Sequence, residues 1–264
     1  MGQHLSGLFD RRARVACLGD SITYGFGLPD RESECYPSQL QSLLKTEAQV
    51  DVAVDNFGVS GACMNDDGDL PYRKQAAYID AVGKSSRLAA VVVMLGTNDC
   101  KKNNWDRHRF LDSFRALLDD FSASPQGAAK GSGPAILICR PPPLFLDGFD
   151  AEYKAMLEAL DSLVKEEQEA AAEEKSQRLQ AEAQVLPRRR REPEQQEPLA
   201  AAMGRGRLVC VVDVHSALAS EHLFPDYVHP GAEGALRIAT EVERVLTATV
   251  PGTWSFSNRT RERV

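Results

Sequence analysis

The run Ala90-Val91-Val92-Val93-Met94-Leu95 is apolar at every position. A strand of that composition has no face fit for water, so structure must cover it on both sides. Four other short runs, Arg14 to Leu18, Val50 to Phe57, Ala135 to Cys139 and Leu208 to Val212, are similarly rich in apolar and β-branched residues. Between them lie segments of helical periodicity near Tyr36 to Lys45, Lys74 to Val82, Arg107 to Phe121 and onward from about Ala151, with a last one near Ala232 to Leu246. Strands alternating with helices predict a parallel sheet covered on both faces, an α/β chain folded as a three-layer α/β/α sandwich.

At 264 residues one such domain spanning residues 1–264 is expected. No stretch approaches the roughly 18 consecutive apolar residues of a transmembrane segment. The net charge of -7 argues against nucleic acid as a partner, because phosphate binding rests on a basic face. Cys17, Cys35, Cys63, Cys100, Cys139 and Cys210 form no C-x-x-C pair and no Cys/His cluster with zinc spacing, so neither a metal, a cofactor nor a disulfide framework is expected. Three of them fall inside strand runs and read as reduced core thiols. The first residues lack the apolar core of a secretory signal, and a cytoplasmic location is expected. Met1-Gly2-Gln3-His4-Leu5-Ser6 does match the short N-myristoylation pattern, and the alternative is weak peripheral membrane attachment through Gly2.

The stretch from about 165 to 206 breaks the texture. It is rich in Glu, Gln, Ala and Arg and contains Pro187, Pro193 and Pro198. It reads as an insertion whose first half extends the preceding helix into solvent, while Arg188-Arg189-Arg190-Arg191 is too charged to pack and is expected to be a disordered linker or, alternatively, a docking patch. The polar tail from about 255 to 264 is expected to be loose.

After the first strand comes Gly19-Asp20-Ser21-Ile22-Thr23, a turn that presents a serine at the carboxyl edge of the sheet. Such a serine is a candidate nucleophile, and equally an ordinary helix cap. A hydroxyl nucleophile needs a base, and the base needs an orienting carboxylate. Phe224-Pro225-Asp226-Tyr227-Val228-His229-Pro230-Gly231 offers both within one turn: Asp226 against Nδ1 of His229, with Nε2 left to face Ser21. Acyl transfer also requires donors for the oxyanion. Gly61, after the second strand, can turn its N–H toward the site, and Asn98, in Gly96-Thr97-Asn98-Asp99 after the third, can donate its amide. Read singly, Gly61 is as well explained by a tight turn and Asn98 by a cap. All four elements fall where strands end, the edge at which open α/β sheets bind ligands.

The order and wording of these blocks resemble the SGNH (GDSL-like) hydrolase family. Gly19-Asp20-Ser21 resembles its nucleophile block, Gly61 its glycine block, Gly96-Thr97-Asn98-Asp99 its asparagine block and Asp226-x-x-His229 its terminal block. The resemblance implies a flavodoxin-like five-stranded sheet of order 2-1-3-4-5, a Ser21-His229-Asp226 catalytic triad, an acyl-enzyme intermediate, and the Ser21 backbone N–H as a third oxyanion donor beside Gly61 and Asn98. Arg140, before Pro141-Pro142-Pro143, departs from the small polar residue expected of close relatives. Gly25-Phe26-Gly27 lacks the third glycine of a dinucleotide fingerprint, and Gly127 to Gly133 lacks a phosphate-loop ending.

The resemblance further implies a small-molecule ester as substrate. The segments Asp67-Gly68-Asp69-Leu70-Pro71-Tyr72 and Cys100-Lys101-Lys102-Asn103-Asn104-Trp105 look like the branch of small acyl esterases acting on carbohydrate O-acetyl groups. The alternatives are a lysophospholipase or thioesterase of the same family, and a non-catalytic interaction protein working through the insertion. Asp20, Trp105 and Arg140 are the candidate substrate contacts. Trp105 is read either as a stacking surface for a sugar or as the anchor of its own loop.

Overall fold

The computed structural model describes residues 12–122, 133–185 and 207–250. Its five strands are β1 (Arg14–Gly19), β2 (Ala53–Gly58), β3 (Leu88–Met94), β4 (Ala135–Cys139) and β5 (Val209–Val212), all parallel, in the order β2-β1-β3-β4-β5. This is the α/β arrangement and strand order that the family resemblance implies. Helices α1 (Ser21–Tyr24), α2 (Arg31–Glu34) and α3 (Tyr36–Thr46) follow β1, and α4 (Ala76–Gly83) follows β2. Then α5 (Arg107–Ser122) follows β3, α6 (Asp150–Val185) follows β4, and α7 (Val214–Ala217) and α8 (Ala232–Thr249) close the described chain.

The period-2 alternation of strand side chains sorts the core into two halves. Ala16, Leu18, Val91, Val93, Ile136 and Ile138 point to one face, where Phe114, Leu117, Met156 and Leu160 from α5 and α6 cover them. Val15, Cys17, Val92, Met94, Leu137 and Cys139 point to the other and meet Leu40, Leu44, Ile238 and Val242 from α3 and α8. The described cysteines are all free thiols. No helix among the described residues is long and apolar enough to cross a membrane.

Element bounds depart from expectation in places with visible causes. The second strand starts at Ala53 rather than Val50, because Val50 N–H bonds back to the Leu44 carbonyl at the end of α3 and the Gln41 amide takes both Val52 O and Val54 N–H. The helix expected from Lys74 begins at Ala76, preceded by a 3-10 turn, Tyr72–Lys74, with Gln75 extended between them. The helix after β4 runs on to Val185. Its apolar burial ends near Val164, and Glu166 and Glu167 make its next side-chain bonds to the body, to Arg115 at 2.9 Å and to Arg207 at 2.6 Å. The four-arginine run, Gly2 and the C-terminal tail lie outside the described residues.

Candidate active site

Three loops at the carboxyl ends of β1, β2 and β3 meet the turn before α8. Gly19 ends β1 in a position where a Cβ would lie 2.6 Å from the Met94 carbonyl, so the chain can make its turn only without a side chain. Asp20 then caps α1, its Oδ1 accepting the Ile22 N–H at 2.9 Å. Ser21 is the first residue of α1 and is 8% exposed. The helix stops after one turn at Gly25, left-handed at φ 89°, and the Gly25 and Phe26 N–H groups both bond to the Ser21 carbonyl, at 3.0 and 2.9 Å.

After β2, the Ala62 N–H closes a turn onto the Val59 carbonyl at 3.1 Å with Gly61 at φ 83° in its third position. The Asn98 side chain reaches this turn, Nδ2 donating to the Ala62 carbonyl at 3.0 Å. An amide carries two N–H donors, so one remains for a ligand. The Ser21 and Gly61 N–H groups donate to no protein acceptor among the described residues.

Residues that single-sequence reasoning passed over stitch the loops after β2 and β3 together. Asp99 is wholly buried and accepts from Met64 N–H and Asn65 N–H, each at 2.8 Å. Asn104 donates to the Asn98 carbonyl at 2.9 Å, and Asn65 donates to the Asn104 carbonyl at 2.8 Å. The only sequence signal for this network was an unusual density of Asn and Asp in both loops, which turn chemistry explains equally well.

The third component is the Asp226 turn. Oδ1 of Asp226 accepts the Val228 and His229 N–H groups at 3.1 and 2.7 Å, which bends the chain so that Nδ1 of His229 lies 2.7 Å from Oδ2 of the same carboxylate. Tyr227 between them is left-handed at φ 68°. On the far side of the ring, Nε2 of His229 lies 2.8 Å from Ser21 Oγ, across 208 positions of chain. Ser21, His229 and Asp226 therefore form one hydrogen-bonded line.

Electrostatics differ sharply among the carboxylates. Burial works to raise Asp226, but hydrogen bonds from the His229 backbone and ring and from Val228 outweigh it, so the group sits below the ordinary carboxylate range. Asp20 has no exposed surface, and burial pushes it up to about 6 despite the Ile22 N–H and the neighbouring His229. Its Oδ2 and the Thr97 hydroxyl lie near one another but beyond ordinary hydrogen-bond reach. Asp99 is likewise raised to about 6, by burial against the Met64 and Asn65 bonds and by the charge of Asp20.

Each of the three residues expected to contact substrate has partners within the protein. Asp20 is fully buried as the cap of α1. The Trp105 ring packs on Phe110, centroids 5.6 Å apart, and the Trp105 backbone N–H donates to the Lys101 carbonyl. Arg140 is engaged by Asp161 at 3.4 Å and Asp213 at 3.3 Å.

Residues 17–237 match the family described as GDSL-like lipase/acylhydrolase. An acetylxylan esterase of Xylanibacter ruminicola is 36% identical over 170 residues, which is 60% of this chain and 34% of that protein, so the chain spans about a third of the length of this curated relative. Among solved structures, a carbohydrate acetylesterase family member from Sinorhizobium meliloti superposes with a TM-score of 0.57 at 21% identity, covering 90% of this chain and 99% of its own. The inhibitor-bound aryl esterase of M. smegmatis superposes with a TM-score of 0.60 at 16% identity, with the same coverage. These two share the fold, and the family match runs from within β1 into α8. The chain belongs to the GDSL-like lipase/acylhydrolase family.

Proposed function

We propose that this chain removes small acyl groups from esters, O-acetyl groups on carbohydrate foremost, with Ser21 as nucleophile, His229 as general base and acid, and Asp226 as the group that orients the imidazole. The observation that carries the proposal is the unbroken line from Asp226 Oδ2 through His229 to Ser21 Oγ, with links of 2.7 and 2.8 Å. Carbohydrate acetate is favoured because the curated relative is named an acetylxylan esterase.

In the first half-reaction Ser21 Oγ bonds to the ester carbonyl carbon as its proton passes to His229 Nε2. The carbonyl oxygen takes up the electron pair, and its charge is met by the Ser21 and Gly61 N–H groups and the second Asn98 N–H. Collapse breaks the bond to the alcohol, which leaves with the proton that His229 held. Water then gives a proton to His229 while its oxygen attacks the acyl carbon, and Ser21 departs with that proton restored. Asp226 stays ionised throughout, holding Nδ1–H and stabilising the imidazolium.

A fluorophosphonate probe is expected to label the wild type and not Ser21→Ala. In parallel, acetylated xylo-oligosaccharide and a lysophospholipid are offered as substrates, with acetate release expected to exceed fatty-acid release. Labelling that survives in Ser21→Ala would remove Ser21 from its role, and dominant lysophospholipid turnover would overturn the acyl assignment.

A further inference from the structure

We propose that Phe26 is the residue that selects the alcohol half of the ester, forming an aromatic wall against which a pyranose ring packs as it leaves. The proposal rests on the reading of the site given above, and adds to it a side chain and a substrate feature. Phe26 is half exposed, at 50%, yet its ring lies 4.7 Å from the His229 imidazole, tilted by 48°. Its place is set by the nucleophile's own backbone, since the Phe26 N–H bonds to the Ser21 carbonyl and Gly25 and Gly27 on either side are both left-handed, at φ 89° and 80°. At Gly25 a Cβ would lie 2.7 Å from Cys35 Cβ, so the turn that projects the ring is closed to most other residues.

Which half of the ester meets this ring follows from the proton. His229 must hand its proton to the leaving oxygen, which therefore sits within about 3 Å of Nε2 during departure. A ring in contact with the imidazole borders the group attached to that oxygen, whereas the acyl group projects from the carbonyl carbon. A one- or two-carbon alcohol leaves Phe26 largely untouched. A pyranose is wide enough to reach it and presents axial C–H groups to an aromatic face. Tyr24, one of the neighbouring exposed aromatics, does not compete for this role: its ring is already covered by the Arg31 guanidinium, 3.9 Å from its centroid, and Arg31 is pinned to the Tyr24 carbonyl at 2.7 Å.

The test compares two acetate esters that share an acyl group and differ in the alcohol, ethyl acetate and methyl 4-O-acetyl-β-D-xylopyranoside, with wild type, Phe26→Ala and Phe26→Tyr. The quantity read is the ratio of kcat/KM for the two substrates, which does not depend on how much of each preparation is folded. In Phe26→Ala this ratio is expected to fall about tenfold against the sugar ester, chiefly through KM, with ethyl acetate within about twofold of wild type, and Phe26→Tyr is expected to restore it. An equal loss on both esters would mean that Phe26 only supports the imidazole and would overturn the proposal, as would no loss on either. A wild type that turns over neither ester and takes no fluorophosphonate label would instead remove the reading of the site itself, and this proposal with it.

Discussion

A single carboxylate, that of Asp226, holds both the ring and the backbone of His229. Oδ2 lies 2.7 Å from Nδ1 and Oδ1 lies 2.7 Å from the backbone nitrogen. An amide cannot satisfy both, because one of its two heads is a donor facing a donor. In Asp226→Asn the imidazole is expected to take the wrong tautomer, putting a proton on the nitrogen that must accept one from Ser21. The expected loss is about 10³ to 10⁴ in kcat, with the far-UV spectrum unchanged. Steady-state ester hydrolysis measures it, and a loss below tenfold would show that the carboxylate is not orienting the ring.

The Asn98 amide uses one N–H within the fold and keeps the other for the oxyanion of the proposed mechanism. One side-chain N–H goes to the Ala62 carbonyl at 3.0 Å, and the Asn98 backbone carbonyl accepts from the Asn104 side chain at 2.9 Å. In Asn98→Ala the loop keeps the Asp99 bonds to Met64 and Asn65, so the fold should survive. Losing one oxyanion donor is expected to lower kcat by about 10² to 10³ with KM little changed. A change in KM alone would assign Asn98 to ground-state binding.

The two glycines of the second loop are expected to fail differently. A Cβ on Gly58 would lie 2.2 Å from the Tyr24 backbone nitrogen, so Gly58→Ala cannot form without moving the turn that carries Ser21, and soluble yield should collapse. On Gly61 a Cβ meets only Leu70, at 3.8 Å, but the backbone stands at φ 83°. Gly61→Ala should therefore fold at a cost of about 1 to 2 kcal/mol, read by urea denaturation, with kcat reduced because relaxing φ rotates the N–H away from the oxyanion.

The parallel sheet was readable because runs such as Leu88–Met94, apolar on both faces, alternate with segments of helical periodicity, whereas the strand order followed only from the family resemblance. The Asp226-to-His229 pairing was readable because both partners occupy one turn. The bonds from Asp99 to Met64 and Asn65, and from Asn104 to Asn98, were not, since a buried Asp and a turn Asp look alike until the second loop is docked. Phe26 escaped notice for a related reason: between two glycines it registered only as an incomplete nucleotide-binding pattern, and its value comes from standing 4.7 Å from a ring more than 200 positions away. The carboxylates that Arg140 pairs with, Asp161 on α6 and Asp213 after β5, are likewise distant in the chain.

Asp20 sets stability against activity. Its folded carboxyl is raised to about 6 by burial, while the unfolded value is near the ordinary one, about 3.9. Between those values the native state holds a proton that the unfolded chain has released, so stability falls as pH rises from about 4 to about 6 and then stays on the lower level. A shift of this size corresponds to about 3 kcal/mol. Asp20→Asn keeps the acceptor for the Ile22 N–H, removes the buried charge, and offers an N–H toward the Thr97 hydroxyl. Urea denaturation from pH 4.5 to pH 8 should show a flatter curve for the variant and a gain over wild type at pH 8, with the raised Asp99 accounting for the slope that remains. The same charge that costs stability attracts the positive charge that the transition state places on the His229 ring, so kcat at pH 8 should fall severalfold in the variant. Superimposable stability curves across this pH range, or a variant less stable than wild type at pH 8, would show that the Asp20 carboxyl does not carry the penalty that its burial implies.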